Sequence, residues 1–309
     1  MKVLDLGVGW LALANPEAPL AFGGTRITPT VSRDEVVGLA RAMDQKLAVH
    51  GIPVAGAKAG VVATPEEAPE ALAELARRAR HLLGSRVVLG KDMGATNALI
   101  DGLYRSVGLD QLAPIRAEHP SAPGRLRDLA GYRKRMTALG VLWSAQELLG
   151  SVAGLRVAVQ GWGVVGAGSA WRLRHAGARV VAASDLDGWA PDPDPSGPLE
   201  VRAGPARELF GCACDVLVLA AASNSVDAAE AETVRAAAVI EGSNFGLTVG
   251  ARQVLARRGI PVVPDVIASS SSAAMVGWQL ATGNALRPDE LWARIEAAIR
   301  RAVRERHGQ

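Results

Sequence analysis

Short apolar runs alternate with segments of helical apolar spacing over about the first 130 residues, which predicts strands interleaved with amphipathic helices. Residues 1–14 could pass for a secretory leader, but Asp5 interrupts the apolar run, so we expect a first β-strand. Capping boxes at Ser32-Arg33-Asp34-Glu35 and Thr64-Pro65-Glu66-Glu67 each predict the start of a helix of about 15 residues.

A strand is predicted on each side of the second of these helices. Residues 53–56 form the earlier strand, which is followed by Lys58 on a glycine-rich turn. Residues 86–89 form the later strand, with Lys91 and Asp92 at its carboxyl end. Because α/β folds place reactive groups after their strands, Lys58 and Asp92 are candidates for chemistry.

The second half of the chain has its own strand pattern. Between about residues 109 and 131 the sequence is rich in Pro, Gly, Ser and Arg, which indicates a connection between two domains. A helix is predicted at residues 135–149. Buried parallel strands are predicted at residues 155–160, 179–184, 215–221, 238–241 and 261–266. The predicted fold class is α/β.

Charge and cysteine content narrow the class of protein. The net charge of +3 comes from interleaved basic and acidic residues, which argues against a nucleic-acid or membrane-surface partner. No apolar run approaches the roughly 20 residues that span a bilayer. Cys212 and Cys214 have no His or further Cys nearby, so we expect neither a metal site nor a disulfide framework. These features predict a soluble cytoplasmic protein.

Lysine is scarce, which makes the positions that retain it informative. Only five of the 34 basic residues are lysine, namely Lys2, Lys46, Lys58, Lys91 and Lys134. Unlike Arg, a buried Lys can have its pKa moved into the working range and act as an acid or a base. Lysines within short Gly-, Asp- or Met-rich stretches therefore suggest an enzyme. The alternative is random placement under biased codon usage.

A glycine-rich turn follows the first predicted strand of the second half. It consists of Gly161, Trp162, Gly163, Val164, Val165 and Gly166. Its glycines let the backbone approach a pyrophosphate at a helix N-terminus, and Asp185 after the next strand can accept hydrogen bonds from the adenosine ribose. This context predicts a Rossmann dinucleotide site. The Asp185 carboxylate would repel a 2′-phosphate, which favours NAD over NADP. NADP stays open, because Arg179 is a candidate cation for a 2′-phosphate and Asp187 is a second candidate for the ribose partner.

The later strand ends carry small or polar residues where the nicotinamide would lie. The candidate cofactor contacts among them are Ala221, Asn224, Asn244 and Ser269. For any one of these positions, the simpler interpretation that Asn or Ser merely ends a strand is equally open.

Several motifs, in this order, carry a family resemblance. They are Gly23-Gly24-Thr25-Arg26, Met43-Asp44-Gln45-Lys46, Gly56-Ala57-Lys58-Ala59-Gly60, Lys91-Asp92-Met93-Gly94-Ala95-Thr96, Met136-Thr137-Ala138, the strand and turn at 157–166, Glu241-Gly242-Ser243-Asn244 and Val263-Pro264-Asp265. By these motifs the chain resembles the glutamate/leucine/phenylalanine/valine dehydrogenase family over most of its length. The resemblance implies a substrate-binding and oligomerisation domain at 1–133, a Rossmann NAD-binding domain at 134–275, and C-terminal helices at 276–309 that pack back on the first domain. It also implies a homo-oligomer, at least a dimer.

The resemblance also implies roles for individual residues. Lys46 holds the substrate α-carboxylate, Lys58 is the catalytic lysine, and Asp92 handles protons on the amine. Gly24 belongs to the substrate site and Thr137 to the cofactor site. The implied reaction is reversible NAD-dependent oxidative deamination of an L-amino acid to a 2-oxo acid and ammonia. These roles suit the residue types, because a desolvated Lys58 close to Lys46 would have a lowered pKa and could take a proton from water.

The substrate side chain is predicted from two further positions. Glutamate-specific members of the family carry a lysine before the Gly-Gly pair and a serine in a later stretch, which together hold the distal carboxylate. Here the matching positions are Phe22 and Val276, with Ala273 nearby. Because a carboxylate would lose its hydration there without a partner, an apolar, branched or aromatic substrate is expected. A glutamate-specific enzyme, with Arg26 reaching the distal carboxylate, stays open.

One departure from the family supports a different class of function. Ser269, Ser270, Ser271 and Ser272 stand where the family has an Asn-Ala-Gly-Gly stretch that touches the nicotinamide. They favour a catalytically silent nucleotide-binding paralogue that serves as a regulatory subunit or sensor. Joint retention of Lys46, Lys58 and Asp92 favours an active enzyme.

Overall fold

The computed structural model describes residues 1–116, 133–202, 204–283 and 285–308. The chain forms two compact units, one comprising Met1–Arg127 with Ala273–Trp292 and the other Asp128–Ser272 with Ala293–Gln309. Most of the predicted connection at residues 109–131 lies outside the described residues. The predicted division at 133 and 275, and the packing of the C-terminal helices, stay predictions.

The first unit contains a five-stranded sheet in the order β1-β2-β4-β3-β5. The strands are β1 (Lys2–Asp5), β2 (Gly9–Leu13), β3 (Ala21–Ile27), β4 (Ala55–Val61) and β5 (Val87–Lys91). β1 pairs antiparallel with β2, and β2 pairs antiparallel with β4. β4, β3 and β5 are parallel. The single strand predicted for the start of the chain, residues 1–14, is therefore two strands that form a hairpin.

Three helices belong to the same part of the chain, namely α1 (Arg33–Val49), α2 (Ala68–Leu83) and α3 (Asn97–Arg105). The Ser32 side chain accepts a hydrogen bond from the backbone N–H of Glu35 at 3.2 Å and caps α1. Thr64 and Glu67 exchange side-chain-to-backbone hydrogen bonds at 2.9 and 3.4 Å, although α2 itself begins at Ala68. The Thr64 box therefore forms both of its expected bonds, whereas Ser32 forms the side-chain cap and the Glu35 carboxylate binds Arg26.

The two faces of this sheet pack differently. One face forms the main core against leucines of α2 and α3, including Leu72, Leu75, Leu83 and Leu103. On the opposite face α1 packs closely on β4. A Cβ at Gly56 would lie 2.2 Å from the backbone nitrogen of Asp44, and one at Gly60 would lie 2.3 Å from the Val36 side chain. Glycine at these two positions therefore lets α1 approach the β4 backbone.

The second unit contains a six-stranded sheet in the order β11-β10-β9-β6-β7-β8. The strands are β6 (Arg156–Gln160), β7 (Arg179–Ser184), β8 (Trp189–Pro191), β9 (Val216–Leu219), β10 (Ala238–Glu241) and β11 (Val262–Val263). Neighbouring strands are parallel except for the antiparallel β7–β8 pair. The helices between and around them are α4 (Arg133–Leu149), α5 (Val164–His175), α6 (Ala228–Thr233), α7 (Val249–Arg257) and α8 (Asp265–Ala268). This is the Rossmann-type α/β arrangement that the sequence predicts.

The end of the chain differs in detail from the predicted elements. The strand expected at 261–266 has only two residues, because Pro264 cannot donate to a strand ladder and instead precedes α8. Two more helices follow, α9 (Ser271–Ala281) and α10 (Pro288–His307). Within the second unit, Arg300 and Arg304 of α10 form ion pairs with Glu147 of α4 at 3.3 and 2.7 Å.

Membrane-spanning helices and metal clusters are both absent from the part of the chain that the structure describes. None of its helices is both long and apolar enough to cross a bilayer. Its His, Cys, Asp and Glu side chains form no group of three or more that could hold a metal ion. Cys212 and Cys214 are free thiols, and burial raises the pKa of both.

Candidate active site

Lys58 lies in the middle of β4, so its predicted placement on a turn is wrong. The Gly- and Ala-rich sequence around it looks like a turn, but these small residues allow close strand pairing and close packing of α1. β3 pairs with β4 along its whole length, and β2 pairs with most of it. The Lys58 side chain is consequently buried, with only 4% of the residue exposed.

Lys58 extends across a neighbouring strand to Asp92. β3 lies between β4 and β5, and its Gly24 is in register with Lys58 on one side and Gly90 on the other. The Lys58 Nζ donates to Oδ2 of Asp92, which directly follows β5. A Cβ at Gly24 would lie 3.0 Å from the Asp92 Cβ and 3.3 Å from the Lys58 Nζ. Gly24 therefore leaves the space in which the lysine crosses β3.

Arg26 brings a second cation to Asp92. It lies on β3 two residues beyond Gly24, on the same face of the sheet, and is 7% exposed. Its Nε donates to Oδ2 of Asp92 at 3.2 Å, and its Nη1 donates to Oε1 of Glu35 in the first turn of α1. Lys58, Asp92, Arg26 and Glu35 thus form a row of alternating charges. The sequence predicts Arg26 only as a partner for a distal substrate carboxylate, and this network is not among its predictions.

Burial and neighbouring charges shift the pKa values of the central pair. Burial lowers the pKa of Lys58 below its ordinary 10.5, with Asp92 opposing the shift and Arg26 adding to it. Burial alone would raise the pKa of Asp92, but Lys58 and Arg26 lower it to about 2. Asp92 is therefore ionised at neutral pH, and Lys58 loses its proton more readily than a solvated lysine does. Burial, which the sequence analysis expects, is the largest cause of the lowered Lys58 pKa, and Arg26 is a cause that it does not predict.

The other two lysines of the motifs lie in contrasting environments. Lys46 is buried in the last turn of α1, whereas Lys91 is exposed at the end of β5. The Asp44 Oδ1 accepts a hydrogen bond from the backbone N–H of Gly56 at 2.8 Å, which ties the C-terminal part of α1 to β4. Lys46 and Lys58 therefore lie on two elements that are bonded to each other.

The residues predicted to surround the substrate side chain are all buried in the first unit. The exposed fractions are 6% for Phe22, 9% for Ala273 and 7% for Val276. Phe22 lies on the same face of β3 as the Gly24 position beside the charged pair. Ala273 and Val276 lie on α9. A Cβ at Gly277 of the same helix would lie only 2.6 Å from the Leu47 Cδ2, so this glycine packs closely against Leu47.

The three glycines of the turn at 161–166 meet different steric demands. Gly161 has a φ of +87°, and a Cβ there would lie 2.5 Å from the carbonyl oxygen of Ala220 and 2.9 Å from the nitrogen of Ala221. Gly163 precedes α5 and faces open space. A Cβ at Gly166 would lie 1.8 Å from the carbonyl oxygen of Gly161. The turn and the α5 N-terminus therefore fit a pyrophosphate.

The side chains of the same turn are partly solvent-accessible. The Trp162 Nε1 donates to the carbonyl of Gly197 at 3.1 Å, Val164 is 63% exposed, and Val165 is partly buried. Thr137 is partly buried on α4. These positions lie in the second unit, as a role in cofactor binding requires.

The predicted ribose partner lies directly after β7. The Asp185 Oδ1 accepts a hydrogen bond from the backbone N–H of Asp187 at 3.0 Å, which fixes the orientation of this carboxylate. Arg179, the candidate cation for a 2′-phosphate, instead donates to Asp192 at 3.1 Å. The arrangement leaves a carboxylate at the expected place and directs the arginine to another acid.

The loops after β9 and β10 are held together at unusual backbone angles. Asn224 and Phe245 have φ values of +55° and +53°, and the Asn224 N–H donates to the Phe245 carbonyl at 2.6 Å. The Ser223 hydroxyl donates to the carbonyl of Asn244 at 3.0 Å. The buried Asp265 accepts from the Phe245 N–H at 3.3 Å. The sequence motif Val263-Pro264-Asp265 contains this residue but assigns it no role. Its position directly after a strand and a proline is the sequence feature that could have identified it.

The serine run bonds to backbone carbonyls. The hydroxyls of Ser269, Ser270 and Ser271 donate to the carbonyls of Asp265, Ile267 and Met136 at 2.8, 2.7 and 2.6 Å, respectively. All three serines are buried. The hydroxyls therefore stabilise the junction of α8, α9 and α4, and contact of Ser269 with a cofactor stays a prediction.

Comparison with known protein families matches nearly the whole chain. A model described as "Glu/Leu/Phe/Val dehydrogenase, dimerisation domain" matches residues 6–107. A model described as "Glutamate/Leucine/Phenylalanine/Valine dehydrogenase" matches residues 130–203 and 198–305.

Individual relatives agree with these matches. An NADP-specific glutamate dehydrogenase of Saccharolobus shibatae is 29% identical, covering 85% of this chain and 68% of the relative. An NAD-specific glutamate dehydrogenase A of Halobacterium salinarum is 31% identical, covering 92% and 72%. Among solved structures, the hetero-hexameric glutamate dehydrogenase of Thermus thermophilus in its Leu bound form is 28% identical, with a TM-score of 0.82 and coverage of 97% and 79%.

Proposed function

Because the chain belongs to the Glutamate/Leucine/Phenylalanine/Valine dehydrogenase family, we propose that it catalyses reversible, NAD-dependent oxidative deamination of an apolar L-amino acid. The products are the 2-oxo acid and ammonia. The observation that carries this function is the buried pair of Lys58 and Asp92. The Lys58 side chain crosses β3 at Gly24 to reach Asp92, and burial lowers its pKa. A lysine in this environment can exchange a proton with water during turnover.

Each residue of the site has a distinct part in the reaction. Lys46 binds the substrate α-carboxylate through a charge-assisted hydrogen bond. The turn of residues 161–166 would hold the pyrophosphate of NAD, whose nicotinamide would supply the hydride acceptor for Cα. The neutral Lys58 amine would then take a proton from the water that attacks the iminium carbon. The Asp92 carboxylate would take up this proton and deliver it to the amine nitrogen, which leaves as ammonia.

Preference for NAD rests on Asp185. We expect Asp185→Ser to weaken NADH binding about tenfold and to narrow the advantage of NADH over NADPH, because a charged hydrogen bond to the ribose is lost. Fluorescence titration with both reduced cofactors measures this effect, and Asp187→Ser is the matched control. A wild-type enzyme that prefers NADPH would show that the role given to Asp185 is wrong.

Two observations on this chain and one on a relative support an apolar substrate. Phe22, Ala273 and Val276 are buried, so a distal carboxylate near them would lose water. Arg26, the candidate cation for that carboxylate, already pairs with Asp92 and Glu35. The Thermus thermophilus relative was solved in a Leu bound form. The names of the relatives favour the alternative that glutamate is the substrate.

The substrate preference can be decided directly. We expect kcat/KM to be higher for leucine, valine, phenylalanine or tryptophan than for glutamate. Phe22→Lys should raise the activity on glutamate relative to these amino acids, because it places a cation where the distal carboxylate lacks one. A wild-type enzyme that ranks glutamate first would overturn the apolar assignment and leave the dehydrogenase function intact.

A catalytically silent regulatory subunit is the second candidate function. It is favoured by the serine run at 269–272 and by the hetero-hexameric assembly of the Thermus thermophilus relative. This candidate requires wild-type protein that binds NADH but shows no turnover with any amino acid of the panel.

The proposed assembly is a cytoplasmic homo-oligomer of at least two chains. It is supported by the match of residues 6–107 to a dimerisation domain. Light scattering on the purified protein tests this state.

A further inference from the structure

We propose that Arg26 is a positioning residue of the active site, which holds the Asp92 carboxylate beside Lys58 and is itself held by Glu35. This inference rests on the proposed function only for its catalytic consequence. The contacts of Arg26 with Asp92 and Glu35 are made within the protein itself and do not depend on that function.

The Arg26 guanidinium has two separate contacts that orient it. The Nε lies 3.2 Å from Oδ2 of Asp92, the same oxygen that accepts from the Lys58 Nζ. The Nη1 binds Oε1 of Glu35. Two contacts from one rigid, planar group restrict its rotation, so the position of the Asp92 oxygen is set from both sides.

Burial makes this arrangement effective. Arg26 and Lys58 have side chains that are 8% and 6% exposed, and that of Asp92 is 24% exposed. Glu35 is more accessible, with a side chain 39% exposed, and lies in the first turn of α1. Ion pairs among such poorly solvated groups are screened much less than those at the surface. Arg26 therefore acts on the two reacting groups, and Glu35 acts on Arg26 from the edge of the cluster.

The charges facing Lys58 indicate the direction of the effect. Asp92 and Glu35 favour its protonated form, whereas burial and Arg26 disfavour it. Removal of the Arg26 charge should therefore raise the pKa of Lys58. It should also raise the pKa of Asp92, which Arg26 lowers.

The test uses Arg26→Gln, Arg26→Lys and Glu35→Gln in the full-length protein. We expect Arg26→Gln to lower kcat about 10²-fold with a smaller change in KM, since the acid–base pair is misplaced while Lys46 is untouched. The pH at which kcat rises should move upward. Arg26→Lys should recover part of the lost kcat, and Glu35→Gln should have a smaller effect in the same direction. The control is Arg33→Gln, because Arg33 is an exposed arginine in the same turn of α1 as Glu35.

A second readout does not depend on turnover. Competitive acetylation of Lys58, followed by mass spectrometry over a range of pH, reports its protonation in active or inactive protein. The labelling midpoint should move to higher pH in Arg26→Gln and stay unchanged in Arg33→Gln. An unchanged midpoint and an unchanged pH–rate profile in Arg26→Gln would overturn the role of Arg26. A shifted midpoint in a protein without turnover would support that role and reject the proposed function.

Discussion

Lys58→Ala and Asp92→Asn should each lower turnover by at least the roughly 10²-fold expected for loss of a positioned acid–base group. Lys58 supplies the amine whose pKa is lowered by burial, and Asp92 supplies the carboxylate that two neighbouring cations keep ionised. Steady-state rates with the best amino acid of the panel measure the loss. NADH binding should change little, because the glycine-rich turn lies in the other unit.

Lys91→Ala is the matched control for these variants. Lys91 is adjacent to Asp92 in sequence, but its side chain is exposed, so its removal should leave turnover unchanged. Circular dichroism and urea unfolding of all three variants separate lost chemistry from lost structure. Near-normal turnover in Lys58→Ala or in Asp92→Asn would reject the mechanism.

Gly56→Ala should destabilise the first unit and weaken substrate binding together. A Cβ at this position would lie 2.2 Å from the backbone nitrogen of Asp44 and 2.5 Å from the carbonyl oxygen of Ala40, so α1 must shift away from β4. Overpacking of this kind costs about 1–3 kcal/mol of unfolding free energy. Because Lys46 lies near the displaced end of α1, the KM for the amino acid should also rise. Urea unfolding and substrate titration measure the two effects.

Gly38→Ala is the control for that substitution. Gly38 lies inside α1, and a Cβ there meets no atom within 4 Å. Alanine at an open position inside a helix should raise the unfolding free energy by about 0.5–1 kcal/mol, since glycine loses more backbone entropy on folding. Equal stability of the two variants would contradict close packing of α1 on β4.

Local sequence features predict most of the secondary structure but not the partners of the buried charges. Ser32 and the glycine-rich turn at 161–166 act within a few residues, so their effects can be read along the chain. The Gly-Ala-Lys-Ala-Gly segment looks like a turn because its small residues have low strand propensity. In the fold, the same small residues allow α1 and two strands to pack around Lys58.

The candidate site follows the same division. Lys58 and Asp92 could be selected from the sequence by their motifs and the scarcity of lysine. The pairing of Arg26 with Asp92 and Glu35 could not, because it depends on the strand order that brings β3 between β4 and β5. The paired arginine also changes the interpretation of the substrate pocket, since the sequence alone leaves that residue available to a glutamate side chain.

The position of β3 between Lys58 and Asp92 has a consequence for folding. Lys58 on β4 and Asp92 directly after β5 are 34 positions apart in the chain, and β4 and β5 do not pair with each other. A partly assembled sheet that lacks β5 would enclose an ammonium group without its counter-charge, which is strongly unfavourable. The buried charges of the proposed site thereby destabilise incomplete sheets, and we expect the first unit to assemble its parallel strands as one cooperative step.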